Sequence, residues 1–97
     1  MNLILNLKKE YFEQIKAGIK KEEYRLCTSY WQKRIEGKSF DKVIVKLGYP
    51  KSTEKEKILT FHWNGYERKK IIHKHFGSSG VEVYAIKLIK ENNNIKN

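Results

Sequence analysis

Gly18-Ile19-Lys20-Lys21-Glu22-Glu23-Tyr24-Arg25 concentrates the chemistry of this chain, with five of its eight side chains ionised at neutral pH. A lysine and an arginine suit phosphate or carboxylate, Lys as a point charge and Arg through its planar fork. A glutamate beside them accepts hydrogen bonds from an exocyclic amine or a ribose hydroxyl. Lys20, Glu23 and Arg25 around a cleft would therefore hold a nucleotide. The same residues would also make a structural salt-bridge cluster, with Glu23 and Arg25 two positions apart on one strand face. Glu23 with Lys20 further has the composition of a general base and its charge stabiliser.

Other candidates lie further along. His73 and His75 are the acid-base candidates for RNA cleavage, because imidazole titrates near neutrality; the plainer reading is a basic surface loop followed by Phe76 as a core anchor. Arg68, Lys69, Lys70 and Lys74 form a basic stretch near Trp63 and Tyr66. Cations beside exposed rings suit single-stranded RNA, the charges tracking phosphates and the rings stacking on bases. Alternation puts Phe61 and Trp63 on one face and Thr60 and His62 on the other; Phe61 is expected in the core, and Trp63 or Tyr49 as the rim aromatic. Tyr30 and Trp31, close to Lys33 and Arg34, follow directly from the charged segment, so one of these rings could roof its cleft while Trp31 also suits the core. Cys27 has no partner pattern and reads as a small buried residue.

The 97 residues carry a net charge of +10, which points toward polyanions. Only three of the 21 basic residues are arginine, so the alternative is a lysine-rich composition set by AT-rich coding. One cysteine excludes an intrachain disulfide and fits a reducing cytoplasm. One cysteine and three histidines are few ligands for zinc, and no cofactor motif is present; neither metal nor cofactor is expected. The apolar opening Met1–Leu7 is too short for a signal peptide, and no apolar run has membrane-spanning length.

These side chains need elements to position them. Leu3 to Leu7 reads as a buried first strand. Lys8 onward starts a helix with Tyr11, Phe12 and Ile15 on its apolar face, ended by Gly18. Residues 20–26 read as a second strand, on which alternation groups Lys21, Glu23 and Arg25 on one face and Lys20, Glu22 and Tyr24 on the other. Thr28 or Ser29 caps a second helix running to Glu36, with Gly37 beyond it. Phe40 to Leu47 and Ile58 to Trp63 are strands separated by a break at Gly48-Tyr49-Pro50 and a charged loop. Asn64-Gly65 makes either a hairpin turn or a bulge, and strand resumes from Tyr66 to Ile72. Residues 73–80 read as a loop, Val81 to Leu88 as a last strand, and 92–97 as a frayed polar tail. The order predicts an α+β fold with a strongly curved sheet or small barrel and two short helices, in one domain over 1–91.

Gly18, Lys20, Glu23 and Arg25 stand in the spacing Gly-x-Lys-x-x-Glu-x-Arg, which resembles the motif of the ASCH domain, a small β-barrel family related to PUA domains. The surrounding strands and helix resemble that family over most of the chain. The resemblance implies a PUA-like barrel, a cleft lined by the motif strand, and a role in binding RNA or nucleotides, with Lys20, Glu23 and Arg25 holding the ligand. One branch of the family hydrolyses the amide of acetylated cytidine with a lysine, a threonine and a glutamate. Lys20 matches that lysine, but Glu23 stands at the threonine nucleophile's position and Lys21 where a threonine often follows. Glu67 and Glu82 both fall near the later glutamate. Binding is therefore the expected role; the alternative is a small hydrolase acting on a modified nucleoside, or a ribonuclease.

Overall fold

The computed structural model describes residues 1–73 and 77–90. Its elements run β1 (Asn2–Leu7), α1 (Lys9–Lys16), β2 (Glu22–Leu26), α2 (Ser29–Ile35), β3 (Lys42–Leu47), a 3-10 turn (Lys55–Lys57), β4 (Ile58–His73) and β5 (Gly77–Lys90). The strands form one five-stranded sheet in the order β1-β3-β4-β5-β2. The sheet curls into a half-barrel, and with the two helices this is a small α+β fold. No helix among the described residues is long and apolar enough to cross a membrane.

Alternation in β1 and β3 sends Leu3, Leu5, Leu7, Val43 and Val45 into the core, where they meet Phe61, Tyr84, Ile86 and Leu88 of the other strands. Phe12 and Ile15, three positions apart on α1, close one side of this core, and Ile35 of α2 enters it too. β1 pairs with β3 in parallel, Asn2 opposite Lys42. Parallel neighbours need a crossover, and here it comprises α1, β2 and α2, so both helices and the charged strand sit between the two halves of one strand pair.

β4 carries the curvature. Its first residues pair with β3, Val43 facing Phe61, and both halves pair with β5. The register with β5 shifts between Trp63 and Tyr66, so Asn64-Gly65 is a bulge rather than a hairpin turn. Gly65 has φ +81°, a left-handed conformation that costs an L side chain energy. Bulges bend a strand and increase its twist, which allows β4 to serve both arms of the curl. β5 begins at Gly77, four residues before the strand expected from Val81: Gly77 pairs with His73, and the register shifts between this pair and that of Ile71 with Val81. Lys74, His75, Phe76, the side chain of His73 and the tail 91–97 lie outside the described residues. The Thr28 cap is present: its Oγ1 accepts the Trp31 N–H at 3.3 Å.

The end of α2 is tied to the sheet through a buried phenol. Tyr84 is 1 % exposed, and its hydroxyl donates to Glu36 Oε2 at 2.6 Å. Burial first, then the hydrogen bond to Glu36, pushes the Tyr84 phenol well above its ordinary value. A phenol raised in this way is neutral in the folded chain, so its contribution to stability is complete below the unfolded value of 10.0 and is lost as pH rises above it. Stability should therefore fall above pH 10, less steeply in Tyr84→Phe. Urea melts across pH 8 to 11 (roughly the span around a tyrosine's ordinary pKa) check this, and an equally steep fall in the variant would refute it.

A candidate binding cleft at the open seam of the half-barrel

Gly18 does more than stop a helix. It sits at φ +80° in a complete Schellman turn: its N–H bonds the Ile15 carbonyl at 3.0 Å, and the Ile19 N–H bonds the Gln14 carbonyl at 2.9 Å. The Lys20 N–H reaches the same Gln14 carbonyl at 3.1 Å. The first residue of the motif thus fixes the backbone from which its lysine springs.

β2 starts only at Glu22, so Lys20 precedes the strand and does not obey its alternation. Alternation predicts Lys20 on the face opposite Glu23; instead its side chain wraps the strand edge. Lys20 Nζ lies 3.2 Å from Glu23 Oε1 and 4.4 Å from the centre of the Tyr24 ring, and it also donates to the Glu22 carbonyl. On the other side of Glu23, Arg25 Nη2 lies 3.1 Å from Oε2. The three side chains are 14 %, 10 % and 19 % exposed, in the order Lys20, Glu23, Arg25. Glu23 is the one polar residue in the buried set among those described. The salt-bridge cluster and the cleft are thus the same object: one carboxylate between two cations, with net charge +1.

The cleft forms because the barrel does not close. β1 and β2 are the two edges of the sheet. On β2, the Lys21 carbonyl accepts from Leu88 N–H and the Cys27 N–H donates to the Glu82 carbonyl, so the backbone groups of Glu22, Tyr24 and Leu26 point away from β5. On β1, the carbonyls of Met1 and Leu7 accept from Asp41 and Gly48, which leaves those of Asn2, Ile4 and Asn6 facing outward. Among the described residues no strand fills the gap. Arg25 Nη2 crosses it and donates to the Asn6 carbonyl at 3.2 Å, while the Asn6 side chain is anchored by its Nδ2 donating to the Gly48 carbonyl at 2.7 Å.

The resulting cleft has a volume of about 640 Å³. Lys20, Glu23 and Arg25 line it, with Lys8 and Tyr11 on the α1 side and Thr28, Tyr30 and Trp31 on the α2 side. The Arg25 guanidinium lies 5.0 Å from the Trp31 ring centre, and Trp31 meets Tyr30 edge to face at 5.1 Å. Arg25 Nε is buried with no hydrogen-bond partner. Burial first, then the Glu22 carboxylate, raises the Tyr24 phenol above its ordinary value.

Other sequence candidates fall elsewhere. Trp63 is half-buried, packed on Phe40 at 4.9 Å and on Tyr66 at 6.4 Å, and Tyr49 is 91 % exposed on a different concavity; neither lines this cleft. Phe61 is buried, as alternation requires. The basic stretch is divided by its strand. Arg68 Nη2 pairs with Glu82 at 2.8 Å and its Nη1 reaches Glu36 at 3.5 Å. Lys69 turns to the opposite face and pairs with Glu22 at 2.9 Å. Lys70 is exposed. Glu67 and Glu82 are exposed and line none of the cleft. Cys27 is half-buried with a free thiol. Among the described residues no group of three or more His, Cys, Asp or Glu side chains could hold a metal ion. Sequence reasoning missed Asn6, Lys8 and Tyr11 as wall residues; Tyr11, beside Phe12 on the shoulder of the α1 apolar face, is the one whose position offered a signal.

Removing Glu23 leaves two cations facing each other at low exposure. Glu23→Ala should cost about 3 kcal/mol, the lower end for breaking a buried pair because the cleft admits water. Gly18→Ala should cost about 1 kcal/mol through the left-handed backbone alone. Both are read from urea midpoints, and a Glu23→Ala protein as stable as Gly18→Ala would contradict this account of the triad. No family model matches the chain, and no curated protein or solved structure is similar to it.

Proposed function

We propose that the cleft binds a nucleotide unit of RNA, in the manner of a PUA-like, ASCH-type domain. The observation that carries this reading is a net-positive triad at the bottom of an open cleft with aromatic walls. Tyr11, Tyr30 and Trp31 offer faces for a base, and base–aromatic stacking tolerates any base identity. Glu23 spends one lone pair on each neighbouring cation and retains acceptor capacity for an exocyclic amine or a ribose hydroxyl. Lys8 and Lys20 stand at the cleft for phosphate. The buried Arg25 Nε–H, orphaned in the free protein, gains an acceptor from a ligand; an unmade bond of this kind costs about 1–3 kcal/mol.

The rival reading is a hydrolase built on the Lys20–Glu23 contact. An aliphatic hydroxyl nucleophile would have to come from Thr28, the one Ser or Thr among the described residues lining the cleft, but its Oγ1 already caps α2 by accepting from Trp31. The geometry therefore favours binding over turnover.

Quenching of tryptophan fluorescence by uridine or cytidine monophosphate at low salt tests the proposal. Wild type should bind saturably. Tyr30→Ala and Arg25→Lys should each weaken binding roughly tenfold to a hundredfold, the range for losing one stacked ring or one forked contact. Absence of binding by a folded wild-type protein at low salt would remove the RNA reading. Release of acetate from acetylated cytidine, or of fragments from single-stranded RNA, lost in Lys20→Ala, would establish the hydrolase instead.

A further inference from the structure

A second concavity of about 450 Å³ runs between the outer edge of β1 and α2. It shares Asn6, Arg25, Tyr30 and Trp31 with the nucleotide cleft, so the two are consecutive stretches of one trough along the open seam. The character of the trough changes at this junction. The cleft contains Glu23; the second stretch is lined by Lys33, Arg34 and Lys38 and by no acidic side chain. Lys33 and Lys38 have no carboxylate partner among the described residues, in contrast to Arg68 and Lys69 on β4. The Arg34 guanidinium lies 4.2 Å from the centre of the Tyr30 ring, and that ring is 57 % exposed at the junction. Tyr49, 91 % exposed, also lines this stretch, next to Gly48, whose carbonyl holds the Asn6 side chain.

We infer that this trough is the exit path of a single-stranded nucleic acid whose one nucleotide sits in the cleft, with Lys33, Arg34 and Lys38 contacting the adjoining phosphates. The inference rests on the nucleotide reading of the cleft and names its substrate class: an oligonucleotide rather than a free nucleotide. Three cations without a carboxylate partner among the described residues line the groove, together with the exposed rings of Tyr30 and Tyr49. A single strand presents both phosphates and base faces, whereas an acidic peptide would leave the rings without flat partners. The edge of β1 lies on one side of the groove and α2 on the other. The basic contact that the sequence assigns to Arg68–Lys74 moves to α2, because the carboxylates that occupy Arg68 and Lys69 are absent from the trough.

The test compares uridine monophosphate with a fluorescein-labelled oligouridylate of roughly ten nucleotides, within the usual range of single-strand sites. The proteins are wild type, the groove variant Lys33→Gln/Arg34→Gln/Lys38→Gln, and a variant of equal net charge, Lys9→Gln/Lys16→Gln/Lys55→Gln, whose residues line neither stretch. The oligonucleotide should bind wild type at least about tenfold more tightly than the monophosphate, the gain of one more stacked or phosphate contact. The groove variant should lose this gain, and its dependence of log K on log salt should be shallower by about 2, at about 0.7 per phosphate contact for a single strand. Its affinity for the monophosphate should not change, and the charge-matched variant should behave as wild type. An oligonucleotide that binds no more tightly than a monophosphate that does bind overturns the exit path and leaves the cleft reading standing. Equal losses in both triple variants, or displacement by polyglutamate as readily as by unlabelled RNA, also overturn it. If wild type binds neither probe, both readings fall.

Discussion

The Arg25 guanidinium takes the place of the backbone ladder that β1 and β2 do not form. One of its nitrogens meets the Glu23 carboxylate on its own strand and the Asn6 carbonyl across the gap, and its central carbon lies over the Trp31 ring of α2. An edge carbonyl facing a gap needs a donor, and a charged donor makes the stronger bond. The side chain that bridges the seam is thus also the one that keeps it polar. Without Glu23 the arginine would face Lys20 across a site of low exposure, and without Arg25 the edge of β1 would face only water. A single ionic contact therefore links the closure of the fold to the chemistry of the cleft.

This dependence explains which parts of the site were legible in the chain. The motif spacing brought out Lys20, Glu23 and Arg25 because their charges are anomalous for a strand, and the structure brings all three together. The alternation rule misplaced Lys20, since a period of two applies only inside a strand and Lys20 belongs to the turn that Gly18 sets. The walls were harder to read. Asn6 and Tyr11 become wall residues only through the pairing of β1 with β3, a contact across some forty positions that no local pattern encodes. Trp63 and Tyr49 read as rim aromatics because exposure was judged along the chain; packing on Phe40 takes Trp63 out of reach.

The fold itself was more legible than the site. Period-two burial located β1 and β3, a continuous apolar run buried on both faces located the body of β5, and Thr28 and Gly18 marked helix ends by their own hydrogen-bonding geometry. The bulge at Asn64-Gly65 could not be told from a turn, since both use a residue at positive φ; the decision lay in Leu88 and Ile86 of β5, the partners of Trp63 and Tyr66 on either side of it. The basic run along β4 is divided for a related reason. Adjacent residues on a strand face opposite ways, so a run of cations along β4 divides between two faces, whereas Lys33 and Arg34 on a helix share a groove with Lys38 beyond it.

The parallel pairing of β1 with β3 has a temporal side. β1 and β2, whose edges frame the cleft, belong to the first third of the chain, yet each is held by a strand from further on, β1 by β3 and β2 by β5. During vectorial synthesis the triad residues emerge early and have no scaffold until the C-terminal strand follows. Such distant pairing makes the seam late to assemble, after the local β4–β5 ribbon. A nascent chain therefore carries the whole motif well before it possesses the cleft, which comes into being only as β5 docks.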